Sequence, residues 1–104
     1  MTRANEMLSA WESLVGDMAS GYTMSVYEYS NDLYCREYLE VNRYEESVAA
    51  IWSRVEKVDQ IAQSFLLPTV GCFHGNHPRS WFWYWGVPGN SPELESDLRA
   101  RNLI

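Results

Sequence analysis

Met7, Leu8, Trp11, Leu14, Val15 and Met18 recur at the i, i+3, i+4, i+7 spacing of a single helical face. Gly21 interrupts that pattern as a C-cap glycine does, so a first helix is predicted to end there. A second stripe, Val48, Ile51, Trp52, Val55, Val58, Ala62 and Phe65, runs through Arg43 to Phe65 until Pro68 stops it. It predicts the longest helix of the chain, and a central one. The intervening segment, Tyr22 to Asn42, supports two readings. Its Tyr and Val content suits a hairpin turning at Ser30-Asn31-Asp32. As a helix it gathers Val26, Tyr29, Leu33, Tyr34, Tyr38 and Val41 over one arc, and it gains the i, i+4 pairs Asp32 with Arg36 and Arg36 with Glu40. The helix is preferred; a hairpin would convert a helical bundle into a sheet packed on helices.

Beyond Pro68 the texture changes to the turn residues Gly71, Gly75, Asn76 and Pro78. Leu66 to Phe73 and Ser80 to Gly86 read as two short strands around that turn. Strand alternation would place Trp81, Trp83 and Trp85 on one face and Phe82 with Tyr84 on the other. A strand apolar on both faces needs cover on both. Ser91 as N-cap with Pro92 in the first turn starts a short last helix that docks through Leu94 and Leu98, with Glu95 to Arg99 and Asp97 to Arg101 as supporting pairs. The expected fold is α+β and helix-rich: three helices packed with a short aromatic β-hairpin and a short C-terminal helix, forming a single domain over residues 1–104.

Composition changes this picture little, because 46% hydrophobic and 21% charged residues describe an ordinary globular chain. Charge is more informative. The net formal charge is −6, and all of it lies before Leu66, where eleven acidic residues face five basic ones. Such a surface, with Lys57 the only lysine, suits a basic protein partner and excludes nucleic acid as an expected one. Met1 to Ala10 never becomes an apolar leader, and no run reaches the length of a membrane span. Cys35 and Cys72 make no disulfide framework, so the expectation is a cytoplasmic protein with free thiols, no membrane partner and no cofactor.

Three groups of residues could carry function. Asp59 and Glu37 fall on apolar faces, where a carboxylate must find a cation or donors, or hold its proton. Arg36, Arg43, Arg79 and the tyrosine hydroxyls are the available partners. A buried ion pair fixing helix register is the simpler outcome; an aromatic pocket recognising an amine or cation is the other. Cys72, His74 and His77 supply zinc-type ligands within six residues, although Cys-x-His-x-x-His is no standard finger and no metal is expected. Finally, Trp81, Trp83 and Trp85, with Arg79 beside them, form either core or a subunit or partner interface.

Tyr29-Ser30-Asn31-Asp32-Leu33-Tyr34-Cys35-Arg36, then Val58-Asp59-Gln60-Ile61-Ala62-Gln63-Ser64-Phe65, then Trp81 to Pro88 with Glu93 and Leu94, resemble small uncharacterised bacterial proteins. That group is patterned Tyr-x-Asn-Asp-Leu-x-x-Arg on a helix, with an aromatic Trp-rich strand before Pro. The resemblance covers about residues 22–98; it implies a helical Tyr22 to Asn42 and no particular activity. No catalytic constellation is legible. The function expected is therefore non-enzymatic: an antitoxin-like or immunity-like accessory factor that binds a protein partner or itself as a homo-oligomer. The alternative is a binder of, or enzyme acting on, a small amine or cationic ligand in a pocket built from Asp59, Glu37, Tyr29 and the aromatic wall.

Overall fold

The first stripe forms α1, Arg3–Ser20, which buries Ala4, Leu8, Trp11, Leu14, Val15 and Met18 along one face. In the computed structural model, which describes residues 3–104, this is the longest helix and it packs on both α3 and α5. The central position predicted for the Arg43 to Phe65 helix thus belongs to α1. Met1 and Thr2, part of the segment read for a leader, lie outside the described residues. Gly21 follows with φ of 95°, and a Cβ there would stand 3.1 Å from the Asn90 carbonyl oxygen. Both the left-handed backbone and the close approach of the C-terminal segment require glycine.

Tyr22 to Asn42 is helical, in two pieces: α2, Val26–Asp32, and α3, Tyr34–Val41. Leu33, fully buried, joins them as the cap of both. The predicted single arc is corrected accordingly. Val26, Tyr29 and Leu33 do face inward, but beyond the break the inward residues are Cys35, Arg36 and Leu39, while Tyr34 and Val41 point to solvent. The second stripe also bends, into α4, Glu46–Ala49, and α5, Trp52–Phe65, with Ile51 at the joint. Of the predicted stripe, Val48, Val55, Val58 and Ala62 are buried, while Ile51, Trp52 and Phe65 are half-buried.

The fold is helix-rich α+β, with one small two-stranded antiparallel sheet and a C-terminal helix. The strands are β1, Leu66–Pro68, and β2, Gly86–Pro88, with Leu67 opposite Val87. Gly86 lets them approach, since a Cβ there would lie 3.2 Å from Leu66 Cβ. The predicted aromatic strand is not a strand. Phe82–Tyr84 forms one turn of 3-10 helix, closed by the Tyr84 N–H donating to the Trp81 carbonyl at 3.1 Å. With pairing limited to three residues, no sheet covers both faces of an extended aromatic run. Coiling it instead drives Trp83 and Tyr84 inside and leaves Trp81, Phe82 and Trp85 half-buried.

Helix α6, Pro92–Ala100, buries Leu94 and Leu98 as expected and packs on α2. Ser91 is its N-cap residue and Pro92 stands in its first turn, as expected, but no side-chain bond makes the cap. The buried Ser91 hydroxyl does not cap α6; it accepts the Tyr22 N–H at 3.2 Å. Asp97, predicted to pair along the helix with Arg101, accepts the Val26 N–H at 3.0 Å and so satisfies an open donor at the start of α2. No helix among the described residues is long and apolar enough to cross a membrane.

Candidate functional site: an alternating ladder of rings and guanidiniums

Trp83 lies in the core at 0% exposure, and the Arg36 guanidinium sits over its ring with the carbon 4.1 Å from the centroid. Arg36 is itself only 3% exposed, and it lies 5.2 Å from the Trp52 ring. Arg43 is next, 4.6 Å from Trp52 and 5.2 Å from Tyr44. The order Trp83, Arg36, Trp52, Arg43, Tyr44 therefore alternates ring and cation from the core outward, ending at a tyrosine 87% exposed. Attraction between cation and ring face favours each step, by about 2 kcal/mol where water is excluded and about 0.5–1 kcal/mol at the surface.

Carboxylates run alongside. Arg36 donates from Nε to Asp59 Oδ1 and from Nη2 to Asp59 Oδ2, both at 2.9 Å, and again from Nη2 to Glu40 Oε1 at 3.2 Å. Glu40 also accepts from Arg43 at 3.3 Å. Asp59 completes its shell with the Trp11 indole N–H at 3.0 Å, tying α1, α3 and α5 together. Burial pushes the Asp59 carboxyl above its ordinary value, while Arg36 and Trp11 pull it back. The buried ion pair anticipated for Asp59 is thus present, with Arg36 as its cation. Arg36 Nη1, Tyr29 Oη and Trp83 Nε1 are buried without a hydrogen-bond partner among the described residues; Arg36 has the indole face of Trp83 beside it instead. Beside this network lies an open cleft of about 350 Å³ lined by Glu40, Arg43, Trp52, Glu56 and Asp59.

The other predicted residues are divided between the core and a second cluster. Tyr29 is fully buried, stacked on Phe73 and edge-on to Tyr22, and burial raises its hydroxyl pKa. Glu37 is not in the core: it is partly exposed, accepts the Tyr84 hydroxyl at 3.2 Å and lies 3.8 Å from His77 Nε2. His77 is stacked between Trp81, at 4.6 Å, and Tyr84, at 4.7 Å. Cys72 turns its thiol to the His74 carbonyl and His74 is exposed, so Cys72, His74 and His77 do not converge; among the described residues no group of three or more potential ligands is poised for a metal. Arg79 is exposed and lies over Trp85, 4.7 Å from its centroid, while the Trp85 indole donates to the carbonyls of His77 and Pro78. Both cysteines are free; burial pushes the Cys35 thiol up to about 12.

Sequence reasoning thus located Arg36 and Asp59 but missed Trp11, Trp52 and Tyr44. Trp11 had a usable signal, because an indole N–H inside an apolar stripe needs an acceptor and Asp59 was the carboxylate lacking donors. Two members of the predicted inward arc are exposed instead. Tyr34 and Val41 are 50% and 66% exposed, and Tyr38, partly buried, packs edge-on to Tyr34. Spaced 34, 38, 41, these residues share the outer face of α3, and Tyr44 follows in the next turn.

In comparison with known proteins, the chain matches no protein-family model, no curated protein and no solved structure. Functional inference therefore rests on the geometry of this chain.

Proposed function

We propose that the protein is a non-enzymatic, cytoplasmic interaction factor, antitoxin-like or immunity-like in its mode of action, which binds a protein partner through the outer face of α3. The observation that carries this reading is the exposure of Tyr34 and Val41 on one face of α3, with Tyr44 87% exposed just beyond it; Tyr27 is the other exposed tyrosine among the described residues. Tyrosine and arginine are enriched where proteins meet, and tyrosine contributes contact area at low entropic cost. The half-buried Trp81 and Trp85 support the interface role less well than first expected, since their rings are engaged by His77 and Arg79.

The test is recovery of a partner from the protein's own cell by the natural chain and by a Tyr34→Ser, Val41→Ser variant, with native mass spectrometry of both. A partner, or a second copy, held by the natural chain and released by an equally stable variant is the expected result. Equal recovery by both would remove the α3 face from consideration. A second reading, binding of a small amine or cation, draws on the cleft, where Glu40, Glu56 and Asp59 outnumber Arg36 and Arg43. It predicts that Asp59→Asn and Glu56→Gln leave folding intact and abolish ligand binding; Glu37, which lies against Tyr84 and His77 outside the cleft, takes no part in it. The bonds of Asp59 to Arg36 and Trp11 favour a loss of stability for the first variant.

A further inference from the structure

Arg79 is a guanidinium that the ladder leaves out. Arg36 and Arg43, which line the cleft beside Asp59, are paired with Asp59 and Glu40. Arg79 has no hydrogen bond or ion pair among the described residues; it rests on the Trp85 ring, with its guanidinium carbon 4.7 Å from the centroid. That ring is itself held, because the Trp85 indole donates to the carbonyls of His77 and Pro78, both at 3.1 Å. A guanidinium placed on a fixed ring in this way keeps its five N–H donors unspent.

Beside it opens a cleft of about 200 Å³, walled by Leu66, Pro68, Phe82 and Trp85, with Gln63 and Arg79 as its polar side chains. Arg79 is the only charged residue on that wall, and no acid occurs in the chain between Gln60 and Pro92. The volume falls below the range of about 300–1,000 Å³ that drug-sized ligands fill, so one ring or one branched chain is the body that fits. An apolar wall with one unpaired cation complements an apolar body with one negative group. A carboxylate matches the guanidinium fork with its two oxygens, whereas the further oxygen and charge of a phosphate would meet apolar side chains. An amine meets a wall of its own sign.

We propose that this cleft binds a small carboxylic acid with a single-ring or branched apolar body, the carboxylate on Arg79 and the body against Leu66, Pro68 and Phe82. The cleft shares no residue with the outer face of α3, so this site goes beyond the interaction reading and is tested apart from it.

The probe is 3-phenylpropionate, titrated into the natural chain while the Trp85 indole N–H is followed by NMR. A saturable shift is expected, with affinity about tenfold lower in Arg79→Gln and about threefold lower in Arg79→Lys, which keeps the charge and loses the fork. 3-Phenylpropionamide, the same shape without the charge, should bind the natural chain and Arg79→Gln equally weakly. Acetate, the charge without the body, should give no saturable shift over the same range. Arg79 is exposed and unpaired, so Arg79→Gln should unfold at the temperature of the natural chain. An affinity for 3-phenylpropionate indifferent to Arg79→Gln, or saturation by acetate at the same concentrations, would overturn the proposal. Tighter binding of acetyl-Gly-Gly-Phe through its free C-terminus would overturn the assignment to a small free acid and make the cleft a reader of protein C-termini.

Discussion

The two ends of the ladder use the same chemistry under opposite conditions. At the inner end, Arg36 lies between Trp83 and Trp52 with water excluded and Asp59 bound through two hydrogen bonds. At the outer end, Arg43 lies between Trp52 and Tyr44, partly exposed, with a single 3.3 Å contact to Glu40. Low dielectric makes the inner rung strong and also makes it dangerous to break, because any survivor is a buried unpaired charge. Screening makes the outer rung weak and therefore exchangeable. One arrangement of residues thus holds three helices together at one end and leaves a reversible contact at the other.

The sharpest way to break this contrast is Arg36→Ala, which strands Asp59 and should cost about 3–5 kcal/mol in urea unfolding. A loss as small as that of Arg43→Ala would erase the distinction between the ends. Next in size, Trp11→Phe keeps a ring in place and removes the indole donor to Asp59. It should cost about 1.5–3 kcal/mol, the range for a hydrogen bond to a charged group.

The thiols give a third probe. Cys35 is buried, with its folded value raised to about 12 from an ordinary value near 9, whereas Cys72 is half-exposed. A raised folded value means that the native state holds the proton more tightly. Its contribution to stability is complete below pH 9 and is lost as pH rises from there towards 12. In alkylation at pH 8, Cys72 should react in the folded protein and Cys35 only on unfolding. The smallest effect on stability belongs to Tyr44→Leu and Val41→Ser, each within about 0.5 kcal/mol by thermal denaturation, as befits exposed positions. Their predicted consequence is in binding alone.

The parts of this architecture that the sequence made legible are those governed by local periodicity. The stripe of α1, the inward positions of α5 and the start of α6 all follow from spacing and turn residues. The rule that a carboxylate on an apolar face needs a cation or donors put Arg36, with Arg43, Arg79 and the tyrosine hydroxyls, among the possible partners of Asp59, and the packing selects Arg36. What stayed hidden depends on partners distant in the chain. Tyr34 and Val41 read as inward because they are apolar or aromatic, and that arc has no place for Arg36. Asp59, Trp52 and Trp83 make burial of Arg36 tolerable, and turning Arg36 inward carries Tyr34 and Val41 outward. The run Trp81 to Trp85 misled for a related reason: its alternation is compatible with a strand, but strand formation needs a pairing partner, and β1 pairs with the residues just after it.

The proposed partner sits on the outer face of α3, which Tyr44 continues, and not on the exposed face of α5. A photoreactive residue placed at Tyr44, and in a separate chain at Ile61, which is also exposed but lies on α5, tests it directly in the protein's own cell. A discrete adduct with a basic protein from position 44, absent from position 61, is the predicted result. No adduct from position 44, or the same adducts from both positions, would contradict it.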